Sequence, residues 1–269
     1  MSAASEAAAA CLVCGKASTL RCSACAAKFN IDLYFCSTEH QKLIWPFHRV
    51  VCGERAHPFR LPPLSEEEVQ VCVARLTCLP ENEEDVRTQN VFRKLLHADR
   101  RNPEEIKGHF QNLVGEEIPL VDRRLLTTQP SSDEFGTLRM IRLLGAWWTS
   151  RVEPAISPGL EFLETFQTLY RSNIKSGFDV ADDSQWYSEY CHRLAALVAL
   201  MVLARRQHNA GTPIGNDLLT ARRASVLAIG RFLERVTDPA RANFAAYGIR
   251  NADNLLECIP RPVNELRST

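Results

Sequence analysis

The sequence predicts a mainly α protein in which a small N-terminal module, crowded with cysteine and histidine, precedes a helical bundle. Three observations lead there. Six of the ten cysteines lie within the first 52 residues. Beyond residue 64, apolar side chains recur at helical spacing between caps and prolines, and strand-like alternation is scarce. Leu194 to Ala204 is apolar on every helical face, the mark of a helix at the centre of a bundle. A length of 269 residues with 45% apolar and 24% charged side chains accommodates one main domain and a small one. The expected division is a loose tail at 1–10, the Cys/His module at 11–52, a proline-containing linker at 53–64 and an all-helical domain at 65–269.

The tail, Met1 to Ala10, has neither the basic start nor the long apolar run of a signal peptide. The run at 194–204 is about half of the ~20 residues that cross a bilayer, so a buried helix is expected there. Lys+Arg and Asp+Glu both number 32, which leaves no global field to attract nucleic acid or an anionic membrane. With no export signal, clustered cysteines read as metal thiolates and not disulfides. A cytoplasmic or nuclear setting is expected.

From Cys11 the pattern is Cys-x2-Cys-x7-Cys-x2-Cys-x10-Cys-x3-His-x7-His-x3-Cys, through Cys14, Cys22, Cys25, Cys36, His40, His48 and Cys52. Eight thiolate and imidazole donors make two tetrahedral zinc sites, because Zn2+ has borderline softness and takes four ligands. Each Cys-x2-Cys pair is expected on a tight turn, with Gly15 supporting the first. Cys36/His40 and His48/Cys52 are spaced i, i+4, which predicts that each pair shares one helix face. Pro46 predicts a break, giving two short helices over Ser37–Ile44 and Pro46–Val51. Both ions are then saturated by protein ligands, so the zincs are expected to be structural. Six thiolates outweigh two Zn2+, which argues against a DNA-binding finger.

These residues resemble the MYND-type zinc finger, most clearly at Tyr34-Phe35-Cys36 and from His40 to Cys52. The resemblance implies a short β-hairpin with two short helices in a cross-brace: Cys11, Cys14, Cys36 and His40 on one zinc, Cys22, Cys25, His48 and Cys52 on the other. Spacing by itself leaves that pairing open. A RING finger is also cross-braced, but its ligand series ends in Cys-x2-Cys. Two departures from the family stand out: His40 occupies a position usually held by Cys, and the ten residues between Cys25 and Cys36 are several more than usual. The resemblance also implies protein partners, proline-rich peptides in particular, docked by Gln41 and Trp45. An indole beside an amide suits a proline ring and a backbone group; packing of the finger's own core is the competing role for Trp45. A module this small is expected to depend on metal for its fold, so that chelation unfolds 11–52 and leaves the rest helical.

The stretch His57 to Leu64, with Pro58, Pro62 and Pro63, reads as a stiff linker; as a sharper alternative it masks the finger's peptide groove. Ser65-Glu66-Glu67-Glu68 is a capping box, followed by Val69, Cys72, Val73 and Leu76 on one helix face, with Pro80 closing the helix. Looser helical patterns run over 85–98, 133–149, 183–207 and 216–236, and Asp238-Pro239 opens a shorter one. Trp147, Trp148 and Trp186 are expected as packing anchors.

Catalytic constellations are thin. Cys191 and His192 are sequence neighbours, which puts them about 100° apart on a helix and rules out a nucleophile–base pair. Cys72 and Cys78 lie on different faces, and His97, His109 and His208 have no metal-ligand spacing. MYND fingers also occur within SET-type lysine methyltransferases, and Gly115-Glu116-Glu117-Ile118 resembles a SET fragment. The chain nevertheless lacks the Asn-His motif of those domains and is helical where they are strand-rich. An adaptor or scaffold, not an enzyme, is the expected class; an assembly factor that holds a client on its helical domain is the other binding reading.

Overall fold

The computed structural model describes residues 10–80, 83–96, 98, 100–112, 114–115, 141, 159, 161–163, 165–166, 169, 185–236 and 239–259. Two compact units divide the chain, one made of 1–60 with 168–269 and the other of 61–167. This differs from the boundaries read along the sequence, because the finger and the last helices bury surface together. The expected helix at 133–149, with Trp147 and Trp148, lies outside the described residues apart from residue 141, as does most of the Gly115–Ile118 tetrapeptide.

The first unit opens with the finger. Strand β1 (Leu20–Arg21) pairs antiparallel with β2 (Tyr34–Phe35), Leu20 opposite Phe35 and Arg21 opposite Tyr34. The ten residues between Cys25 and Cys36 largely serve to complete helix α1 (Ser23–Phe29) and the return to β2. Asn30 ends α1 in the left-handed conformation at φ 54°, a region that asparagine tolerates better than most residues.

Helix α2 runs without interruption over Thr38–His48, followed by a 3-10 turn at Arg49–Val51. The expected break at Pro46 is corrected. Pro46 sits in the final turns of α2, where it removes only the bond to the Lys42 carbonyl, and both residues lie on the exposed side where water can serve that group. Ser37 caps α2, its Oγ accepting from the His40 N–H at 3.3 Å.

The finger has a real apolar interior. Ile31, Leu33, Phe35, Phe47 and Val51 are all buried to the last few percent, and α2 packs against helix α6 (Gln185–Asn209). Almost every residue of α6 from Tyr187 to Leu200 is buried, as the all-apolar run predicts. Helix α7 (Asn216–Leu233) lies against α6 and against α8 (Pro239–Cys258). At 20 residues α8 is a long helix, not the short one expected after Asp238-Pro239. Its internal Gly248 reads as a weak point in isolation, yet a Cβ there would sit 2.5 Å from Leu233 Cδ1. The glycine is where α7 and α8 approach closely.

The second unit is built on α3 (Glu66–Thr77), with the capping box at Ser65 and Glu68 formed as expected. Val69, Cys72 and Leu76 meet Phe92 and Leu96, at the end of α4 (Glu83–Leu95), and Ile106 and Phe110 of α5 (Pro103–Gln111). Gln89 and Arg93, one turn apart on α4, donate to the Arg75, Cys78 and Leu76 carbonyls at the end of α3, satisfying groups that every helix end leaves open. Helix α5 is an addition to the expected helices, and its signal is local: Asn102 and Glu105 form a capping box around Pro103 at the first helical position.

Candidate metal centre

The eight ligands converge on two points. Cys11, Cys14, Cys36 and His40 form one group and Cys22, Cys25, His48 and Cys52 the other, the ligand atoms of each lying within 4.8 Å of one another. That is the cross-brace, first pair with third and second with fourth. Local structure supplies each donor differently. Cys11 and Cys14 flank a turn closed by the Gly15 N–H on the Cys11 carbonyl at 2.9 Å, with Gly15 at φ +69°. Cys22 caps α1 and Cys25 lies in its first turn, so this pair rides on a helix start and not on a free turn.

The expectation that Cys36/His40 and His48/Cys52 share helix faces is corrected. Cys36 follows β2 and precedes the cap of α2, while His40 sits in its first turn. His48 is the last residue of α2, and Cys52 lies past the 3-10 turn in extended backbone, φ −89° and ψ 161°. In each pair the helix presents the imidazole and an adjoining irregular residue presents the thiol. The spacing works because a helix end, like a helix face, turns the chain back on itself.

Distances fit zinc. With Zn–S near 2.3 Å and Zn–N near 2.0 Å, tetrahedral edges are roughly 3.8 Å between sulfurs and roughly 3.5 Å from sulfur to nitrogen. In the first site Cys14 Sγ is 3.5 Å from Cys36 Sγ, and His40 Nδ1 is 3.6 Å from Cys11 Sγ. In the second, Cys52 Sγ is 3.6 Å from both Cys22 Sγ and Cys25 Sγ, and His48 Nε2 is 3.3 Å from Cys22 Sγ. The two histidines therefore use different nitrogens, Nδ1 in the first site and Nε2 in the second.

Proton affinities in this crowd pull in opposite directions. Hydrogen bonding from Cys25 and Cys52 holds Cys22 far below the ordinary thiol value, while the same kind of sulfur contact, from Cys22 and Cys52, drives Cys25 upward. Burial and the adjoining Cys14 and Cys11 sulfurs push Cys36 up to about 12. Although burial works against it, the Cys22 and Cys52 sulfurs raise His48 to about 9. Sulfurs packed this closely need a cation to coexist as thiolates, and Zn2+ supplies it.

The family model for the MYND finger matches residues 11–52, from first ligand to last. Residues 11–52 form a MYND finger. No curated protein and no solved structure matches the chain. The two Cys3His groups fit two structural zinc ions, and the MYND assignment carries a protein-interaction role in general terms.

What sequence reading missed lies behind the second site. His192 of α6 is 2% exposed, its Nε2 lies 3.1 Å from the Ala56 carbonyl, and its ring packs edgewise on zinc ligand His48 and on Phe59. Ser188, one turn earlier, has its Oγ 2.9 Å from His57 Nδ1 and accepts from the Phe59 N–H at 3.2 Å. Residues 56–59, all within the expected linker, are thus fastened to α6 beside the metal. Cys191 is fully buried, and burial pushes its thiol well up, in keeping with packing. No local signal announces His192, since more than 130 residues separate it from Ala56. Gln41 is half-buried and Trp45 exposed on α2. Among the described residues no helix is long and apolar enough to cross a membrane.

Proposed function

We propose that the protein is an adaptor whose zinc-held finger docks a proline-rich segment of a partner protein on Gln41 and Trp45. The observation that carries this reading is Trp45: it is 46% exposed while its neighbours Ile44 and Phe47 fill the interior. The finger's core is complete without the indole, which removes the reason to keep a large apolar ring there for packing. Gln41 lies one turn earlier on α2, within reach of the same bound segment. The indole also leans on His48, ring centroids 6.1 Å apart, so the docking surface inherits its rigidity from the second zinc. With four protein ligands on each ion there is no open position for substrate or water, which supports binding and not catalysis. Twelve residues after Trp45 the chain is pinned to α6 through His57 and Ser188, which supports a groove that is not masked by 57–59. Free thiolates as ligands suit the reducing conditions of cytoplasm or nucleus.

The test is a peptide-binding titration on full-length, zinc-loaded protein with a panel of fluorescein-labelled proline-rich peptides. Trp45→Ala is expected to retain two zincs per chain and lose at least about tenfold in affinity. A Trp45→Ala protein that keeps both zincs and every peptide would remove the docking role.

A further inference from the structure

A cleft of about 440 Å3 opens in the first unit where the loop after α1 meets α6, α7 and α8. It is separate from both metal sites and from Trp45. The finger contributes Asn30 and Asp32, and the helices contribute Trp186, Glu189, Arg193 and Phe232 among others. Gln185 Nε2 donates to the Asn30 carbonyl at 2.7 Å, which closes one end.

Arg193 is the feature that demands an explanation. Its side chain is 8% exposed, yet among the described residues it forms no ion pair and its Nε has no acceptor. Buried guanidinium groups are ordinarily paired, because desolvation of an isolated charge is costly. A second buried donor in the same cleft, Trp186 Nε1, also lacks an acceptor. Glu189 acts on Arg193 electrostatically without closing to a direct contact, and both nearby carboxylates have hydrogen-bond donors of their own. Asp32 accepts from Arg21 at 3.3 Å and from the Tyr34 hydroxyl at 3.2 Å, and Glu189 accepts from Gln185 at 3.4 Å. Burial raises Glu189, and the Arg193 guanidinium works against that rise.

Ring faces hold the arginines in place. Phe232 is flanked by Arg193 at 4.9 Å and Arg235 at 5.9 Å, and Arg241 lies 4.9 Å over Trp186. A guanidinium held over an aromatic ring still has N–H groups with which to recognise an oxyanion. The volume is that of a small-molecule site. Three arginines against two carboxylates suit a monoanion better than a phosphate dianion.

We propose that this cleft binds a small organic carboxylate, its oxygens accepting from the Arg193 guanidinium and its apolar body resting on Phe232 and Val236. Such a ligand bridges the finger loop and the bundle, and so ties the orientation of the finger to its presence. The proposal is independent of peptide docking at Trp45.

The experiment uses full-length, zinc-loaded protein with benzoate as probe, benzamide as its neutral isostere and inorganic phosphate as an anion without an apolar body. Ligand-observed NMR gives Kd and thermal melting gives the stabilisation. Benzoate is expected to bind saturably and raise Tm, with benzamide and phosphate at least about tenfold weaker. Arg193→Met is expected to lose benzoate binding by about tenfold or more. Arg235→Gln, at the rim of the cleft where folding is not at stake, is expected to weaken benzoate by about threefold. Absent benzoate binding, equal binding of benzamide or phosphate, or full affinity in both variants would overturn the proposal.

Discussion

The two zinc sites share a Cys3His donor set and differ in what stands behind them. In the first, Cys14, Cys36 and His40 are all partly exposed, and only Cys11 is buried. In the second, Cys22, Cys25 and His48 are buried and Cys52 alone is partly exposed. Behind His48 stands His192 of α6, itself fixed to the Ala56 carbonyl. The first zinc closes a loop at the surface of the finger, whereas the second sits where the finger and the helical bundle are joined. One ligand chemistry therefore serves a local role in one place and a tertiary role in the other.

The largest expected effect comes from breaking the second site. Structural zinc binding amounts to on the order of 10 kcal/mol of folding free energy, and at this site part of that energy goes to holding α6. Cys25→Ser is expected to unfold the finger and to speed amide exchange along α6 from Tyr187 to Leu200. Unchanged α6 protection would return the finger to the status of an autonomous module, as the sequence alone suggests. Cys14→Ser comes next. It is expected to leave one zinc per chain by native mass spectrometry, with faster exchange confined to the 10–21 and 34–41 segments and α6 intact. If both variants loosen α6 equally, the distinction between the sites fails.

A smaller effect is expected from His192→Phe, which keeps the ring and removes the polar partner of the Ala56 carbonyl. Both zincs should remain, and stability should fall by about 1–3 kcal/mol because a buried acceptor is left unsatisfied. A chemical-denaturation midpoint identical to the parent would show that the bond to Ala56 carries nothing. The smallest expected effect is on equilibrium stability in Trp45→Ala, under about 1 kcal/mol. A larger loss would mean that the indole packs the finger after all and would weaken the docking proposal.

Legibility in the sequence follows the range of the interaction. The eight ligands, the cap at Ser65 and the buried run at 194–204 are all readable, because each is written in residues a few positions apart. The i, i+4 spacing of the Cys/His pairs locates the ligands but misstates how they meet, since a helix end and an adjoining turn satisfy the same spacing as a helix face. Pro46 misleads for a related reason: near a helix end, on the exposed side, the carbonyl it strands can find water, and the helix continues through it. Helix α5 is written just as locally, in Asn102-Pro103-Glu104-Glu105, but its nine residues are too few for apolar periodicity to stand out.

By itself the sequence determined the donor set, its metal and the helical character of the chain beyond the finger, since ligand type, capping and periodicity are local properties. Only the tertiary structure decided which four donors share an ion, that α6 backs the second site through His192, and that Arg193 and Trp186 meet in one cleft. The backing of the second site depends on which apolar faces find one another across more than a hundred residues, and an apolar face does not name its partner.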